Sequence, residues 1–360
     1  MSKLSIFLLS SLISLVVAEF VLRAFTPYPI HGLRANRIEH QALGYVLDPE
    51  FPESDASGFR NPDGMGEVDL VTLGDSHTYG FNVGRSDNWP SQLADAAGIT
   101  VYNHGMGGYG VLQHFWLFSQ ALDRNPSSII VGLYLANDLA DTCLLADTEF
   151  WKIELSRRGL ERIICEIEER RERDAADIPA WRQTALGSAY HDLVGRQISV
   201  LRAARRYFWF RDAGRSTPIW KRHLEGHVKT TDRGRTDIAA AYALVLEILD
   251  RMAQEASRRG VRFGVLLIPS KESVLFEASD PPIAFEDRVA RTVKQEREIT
   301  RDIERELRAR GIRTANAISL MREGAEGPLY PAAPGGHPLR SGYRLYAVAA
   351  ESLLGADASK

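Results

Sequence analysis

Cysteine is nearly absent from this 360-residue chain: Cys143 and Cys165 are the only two. They form no C-x-x-C pair, which argues against a zinc ribbon or a thioredoxin-like site. A disulfide between them suits an exported chain, whereas two small buried hydrophobes suit any compartment. An excess of either charge is lacking too, since 44 Lys+Arg stand against 47 Asp+Glu for a formal net charge of −3. A chain built mainly to hold nucleic acid would be plainly basic, so no nucleic-acid partner is expected. Beyond residue 25 no apolar run approaches the ~20 residues of a membrane helix, which excludes a multi-span protein. Repeats and low-complexity tracts are missing, as are H-E-x-x-H, the P-loop pattern and G-x-S-x-G. No metal and no cofactor is expected.

What remains is ordinary globular composition, with 44% hydrophobic and 25% charged residues. The length suits two domains, or one α/β domain carrying an insertion, and a core large enough to need no staples. At the amino terminus Lys3 precedes the uncharged run Leu4 to Ala18, followed by Glu19 and Arg23. That run has the length of a secretory h-region, about 7–15 apolar residues, with Val16-Val17-Ala18 as a cleavage site. Glu19 and Arg23, four apart, also pair on a helix that continues to Phe25, so residues 1–25 read equally as an uncleaved membrane anchor. Either way the body is expected to be exported; a buried helix of a cytosolic protein is the third reading.

Residues 26–66 are rich in Pro, Gly and Asn and read as an irregular lead-in. Short apolar runs follow at Val68–Leu73, Thr100–Tyr102, Ile129–Leu135 and Val261–Ile268, with a weaker one at Ile312–Ala315. Helical patterns separate them, among them Trp89–Ala97 and Val111–Leu122. Continuous apolar strands alternating with amphipathic helices indicate a parallel sheet covered on both faces. The expected fold is therefore a doubly wound, flavodoxin-like α/β domain over residues 67–360 with five parallel strands. The interval between the third and fourth strands breaks the rhythm. Its part from 150 to 235 reads as an inserted helical cap, including a charged helix at Leu160–Asp174; Thr236–Arg259 reads as the crossover helix into the fourth strand. In the cap Arg202, Arg205, Arg206 and Arg211 surround Tyr207-Phe208-Trp209-Phe210, a pattern that fits a helix burying its aromatics and solvating its arginines.

Ligands of doubly wound sheets bind at the carboxyl ends of the strands. Here those ends carry Ser76, then Gly105 to Gly110, then Asn137 and Asp138. A serine at a strand-to-helix turn presents its oxygen and its own N–H, a glycine lets a second N–H approach, and an asparagine amide adds a third donor. The base that such an acyl-transfer site needs is available in His337, within Pro334-Gly335-Gly336-His337-Pro338 and just before the final helix. Ser76 also suits simple helix capping, Asp75 a brace for the turn, His77 a pocket wall, Asn137 a loop closure and Asp138 the cap of the next helix. Lys271 and Glu272, after the fourth strand, fit either substrate contact or a solvated turn. Gly105, Gly107 and Gly110 match the dinucleotide fingerprint, but they follow the second strand and no acidic residue closes a further strand about 20 positions on.

The blocks Leu73-Gly74-Asp75-Ser76-His77-Thr78-Tyr79-Gly80, Asn103-His104-Gly105-Met106-Gly107-Gly108, Ala136-Asn137-Asp138 and Gly336-His337-Pro338 resemble, in order, four blocks of the SGNH, or GDSL-type, hydrolases. The likeness is closest to exported bacterial members with an amino-terminal hydrophobic segment, often linked to surface polysaccharide. It implies Ser76 as nucleophile, His337 as general base, and the Ser76 N–H, the Gly108 N–H and the Asn137 amide as oxyanion donors. It also implies an O-acyl, plausibly O-acetyl, ester of a small molecule or glycan as substrate. The location implied is the periplasmic side of the bacterial inner membrane, or the periplasm or medium if the leader is cleaved. A polysaccharide O-acetyltransferase with the same site and a non-catalytic glycan-binding protein are the alternatives. Two positions depart from the family pattern. Leu135 stands where the third block begins with glycine, and Pro334 and Gly335 stand where an aspartate two or three residues before the histidine is usual. Some members work as Ser-His dyads; Glu323 and Glu326, in the preceding loop, are the other candidates for an acid.

Overall fold

The computed structural model describes residues 10–18, 21, 36–160, 207–276, 287–324, 327–333 and 335–355. Its main sheet is built from β3 (Leu70–Gly74), β4 (Val101–Asn103), β5 (Ser128–Tyr134), β8 (Arg262–Ile268) and β9 (Arg313–Asn316). They lie in the order β4-β3-β5-β8-β9 and every neighbouring pair is parallel. Counted within the sheet this is the order 2-1-3-4-5, whose switch point falls between β3 and β5. The expected architecture is the observed one.

The apolar runs are continuous because both faces of the sheet are covered. Every residue of β3 and β5 is buried. Along β5, Ile129, Val131 and Leu133 enter one core while Ile130 and Tyr134 enter the other, the two-residue alternation of a strand. The helices Val111–Leu122 and Thr236–Arg258 cover the first face, and Trp89–Ala97 and Arg340–Glu351 cover the second. Local signals set the helix ends. For Trp89–Ala97, Asn88 Oδ1 accepts from Ser91 N at 2.9 Å, Pro90 stands in the first turn, and Gly98 closes the helix at φ 65°. A further helix, Asp287–Ala309, crosses between β8 and β9 and buries Val289, Val293, Ile299, Ile303 and Leu307.

Two segments depart from the sequence expectations. The lead-in is not wholly irregular, because β1 (Arg37–His40) and β2 (Gly44–Leu47) form an antiparallel hairpin. Nor is the aromatic stretch of the insertion helical. β6 (Tyr207–Asp212) and β7 (Arg215–Trp220) pair antiparallel around Ala213 and Gly214, both at positive φ. Such a two-residue turn matches the twist of paired strands. The relevant period is 2 rather than 3.6: Phe210 and Asp212 are buried and Arg211 between them is exposed. The expected charged helix Leu160–Asp174 lies, past Leu160, outside the described residues, as do Arg202, Arg205 and Arg206. Cys143 is disulfide-bonded; Cys165 lies outside the described residues. At the amino terminus residues 10–18 are helical with Leu12, Ile13, Leu15, Val16 and Val17 exposed, and no described helix is long and apolar enough to cross a membrane.

Candidate active site

β3 ends at Gly74 and the chain turns at once into the short helix Ser76–Tyr79. Asp75 is the cap of that helix, its Oδ1 accepting from His77 N at 2.8 Å. Ser76 is thereby released from capping and holds the first helical position, 8% exposed. The turn lies almost on top of its neighbours. A Cβ on Gly105 would stand 2.5 Å from Tyr79 N and 2.6 Å from Thr78 C, both backbone atoms that cannot yield. Of the glycines that mimic a dinucleotide fingerprint, Gly105 thus serves close packing against the Ser76 turn, while a Cβ on Gly107 would meet the Phe81 ring and one on Gly110 would meet Thr142. Gly105→Ala is expected to destabilise the fold by about 1–3 kcal/mol through overpacking, read as a lower denaturation midpoint at unchanged m-value.

Asn103 fastens the second turn to the first. Its Nδ2 donates to Thr78 O at 2.9 Å while its Oδ1 accepts from Gly105 N at 2.7 Å. Gly108 sits at φ 77°, the left-handed region that glycine occupies without penalty. Tyr45 of the lead-in hairpin donates its hydroxyl to Gly107 O, so β2 supports this turn. Neither the Ser76 N–H nor the Gly108 N–H meets an acceptor among the described residues. Buried or half-buried backbone donors are usually paired, so each of these two is open to an acceptor from outside the chain.

His337 arrives from the opposite end of the chain. Its Nε2 lies 2.8 Å from Ser76 Oγ, whereas Asp75 Oδ2 lies 3.3 Å from the same oxygen. The shorter contact favours the imidazole as partner of the hydroxyl proton. The ring lies tilted against His77, with centroids 4.7 Å apart, and against Phe81, at 5.0 Å. Desolvation by burial, with a smaller push from His223, holds the His337 pKa down to about 4. The ring is therefore neutral at pH 7 and its basic nitrogen available. Above the folded pKa the base form is present and below it is lost, so kcat/KM is expected to stay level down to about pH 5 and to halve near pH 4, measured as a pH–rate profile. An ordinary histidine would halve the rate near ~6.5.

The other predicted residues take varied places. Asn137 caps the helix Asp138–Ala146, and its Nδ2 donates to Asp141 Oδ2 at 3.1 Å while its Oδ1 is buried without a partner. Its amide therefore faces carboxylates in this structure. Asp138 does not cap; its Oδ2 accepts from Tyr134 N at 2.7 Å and closes the end of β5. Burial raises the pKa of Asp75 to about 7 and pushes Asp138 well up, the neighbouring Asp75 adding to the latter. His77 is 1% exposed and stacked 4.1 Å from Tyr134 as well as on His337, a wall rather than a base. Glu323 is exposed at the end of the helix Ile318–Glu323, and no carboxylate among the described residues bonds to His337. Glu326 lies outside the described residues. Lys271 and Glu272 do not form a solvated turn: both are buried, Lys271 completely.

Sequence reasoning missed several supports. Arg60, 4% exposed, donates to the carbonyls of Tyr79, Gly80 and Val83, capping the exit from the Ser76 turn. Asn82 Nδ2 donates to His337 O at 3.0 Å. Arg60 also pairs with Glu53, seven residues back, but the carbonyls it holds lie some 20 residues on, and nothing near Arg60 in sequence marks them.

No family model matches the sequence, and no curated protein matches it. Among solved structures, the chain is similar to a lipolytic protein of the G-D-S-L family from Desulfitobacterium hafniense DCB-2, with 13% identity over 79% of this chain and 98% of that one at a TM-score of 0.38. It is similar to an extracellular lipase from Streptomyces rimosus, with 13% identity over 79% and 99% at 0.42. It is also similar to the acetyl xylan esterase AlAXEase, with 9% identity over 79% and 98% at 0.37.

Proposed function

We propose that the chain is an SGNH-type serine esterase that removes O-acyl groups, O-acetyl in the first place, from a glycan or small-molecule ester. The observation that carries this reading is the 2.8 Å contact of Ser76 Oγ with His337 Nε2. In the first step Ser76 Oγ bonds to the ester carbonyl carbon as His337 Nε2 takes its proton. The carbonyl oxygen becomes an oxyanion facing the N–H groups of Ser76 and Gly108. The tetrahedral species expels the alcohol, which leaves with the proton held by His337. Water then repeats the sequence on the acyl-serine, giving the acid and restoring the hydroxyl. The Asn137 amide joins the donors once its N–H turns from Asp141.

Export, with attachment to a membrane through residues 1–25, belongs to the same proposal. Its supports are the uncharged run Leu4 to Ala18 and the disulfide at Cys143, a bond favoured outside the cytosol. The test is p-nitrophenyl acetate hydrolysis by the purified chain, followed by product analysis with an acetyl donor and a polysaccharide. A burst of nitrophenol stoichiometric with protein, then free acetate, is expected of the esterase. Acetyl groups transferred to the polysaccharide would instead identify an O-acetyltransferase, and release no faster than in buffer would identify a binding protein.

A further inference from the structure

The loop that presents His337 has little structure of its own. Between Pro331 and His337 no described residue makes a backbone–backbone hydrogen bond. Two glycines stand directly before the histidine, Gly335 and Gly336, and a Cβ on Gly335 would meet nothing within 4 Å. The two glycines leave the backbone directly before the ring free to turn, yet the ring must hold a 2.8 Å contact. The carbonyls of this loop are instead held by side chains from elsewhere. Thr217 Oγ1 donates to Pro331 O at 2.8 Å, and Lys271 Nζ donates to Ala333 O at 3.2 Å and Gly335 O at 3.3 Å. The same ammonium reaches Thr217 Oγ1 at 2.7 Å and Pro218 O at 3.2 Å. Three N–H donors are thus shared among four oxygens, two on the loop and two on β7.

A fully buried lysine is unusual and costly, and it persists where its ammonium is well satisfied. Asp212 and Glu272 supply the balancing negative charge nearby, and the Tyr330 ring lies 5.4 Å from Nζ. We infer that Lys271 is a positioning residue: it clamps Ala333 and Gly335 to the Thr217–Pro218 edge of the insertion hairpin and so sets the His337 ring against Ser76. The inserted segment is then part of the catalytic frame as well as a cover. This role rests on the proposed function of His337 as base. It supplies from outside the loop the constraint that an aspartate next to the histidine supplies in the usual family pattern.

The test compares the full chain with Lys271→Met and Thr217→Val by hydrogen–deuterium exchange and by p-nitrophenyl acetate kinetics. In Lys271→Met, peptides covering residues 329–339 are expected to exchange about tenfold faster, with those of β5 and β8 unchanged. For the same variant kcat should fall ~10²-fold, the cost of a displacement near 1 Å, with KM within about twofold. Thr217→Val should move both readouts in the same direction by about threefold to tenfold, and it decides the matter if Lys271→Met does not fold. Unchanged loop exchange overturns the clamp, and so does faster exchange with unaltered kcat. If the wild type itself leaves the ester intact, the esterase reading falls while the exchange comparison still rules on the clamp.

Discussion

Ser76→Ala is expected to lower kcat about 10⁶-fold toward p-nitrophenyl acetate while leaving the thermal midpoint within a few degrees of wild type. The size follows from what alanine removes. No other described side chain with a nucleophilic oxygen contacts His337 Nε2, so no acyl-serine forms elsewhere. What survives is binding and the two N–H donors, which keep a residual acceleration over water. Folding should tolerate the change because the cap of the helix Ser76–Tyr79 belongs to Asp75, and the hydroxyl contributes only its contacts with His337 at 2.8 Å and Asp75 at 3.3 Å. A variant still turning over at a tenth of the wild-type rate would show that the chemistry lies elsewhere.

His337→Ala should cost about 10⁴-fold in kcat, the upper end of what a positioned base supplies. The two residues act on one proton, so their effects should not add: Ser76→Ala/His337→Ala is expected to be no slower than Ser76→Ala alone. A double variant slower by the product of the two losses would mean independent roles. That no carboxylate among the described residues bonds to the ring shapes a companion expectation. Glu323 is exposed and unconnected to His337, so Glu323→Ala should change kcat by less than about twofold. Orientation then comes from the His77 and Phe81 rings and from the held loop, with Asn82 on the His337 carbonyl.

Much of this frame was legible in the sequence, for identifiable reasons. Trp89–Ala97 and Val111–Leu122 read correctly to the residue because Asn88, Pro90 and Gly98 punctuate the first and the apolar stripe of the second is unbroken. The strands read correctly because burial on both faces leaves continuous apolar runs. Ser76 was marked by its strand-to-helix turn, whereas His337 stood out only by its place before the final helix and by the resemblance of its block; their contact spans 261 positions. The hairpin Tyr207–Trp220 was misread because arginines beside aromatics suit both periods, and the deciding signal was Ala213-Gly214 between two six-residue runs. The helix Asp287–Ala309 was legible in its stripe of Val289, Val293, Ile299, Ile303 and Leu307, and went unread because charged residues fill the rest. Lys271 and Arg60 were illegible for a different reason. A buried charge is indistinguishable from a solvated one until its partners, here carbonyls distant in sequence, are placed.

The central claim is that the Ser76 oxygen is activated by the His337 ring, and a fluorophosphonate probe tests it most directly. The adduct should form on the wild-type chain at pH 7, map by peptide mass to Ser76, be absent from Ser76→Ala, and form at least about 10²-fold more slowly in His337→Ala. Adduct on another residue, or labelling of Ser76 at the same rate without the imidazole, would contradict the account.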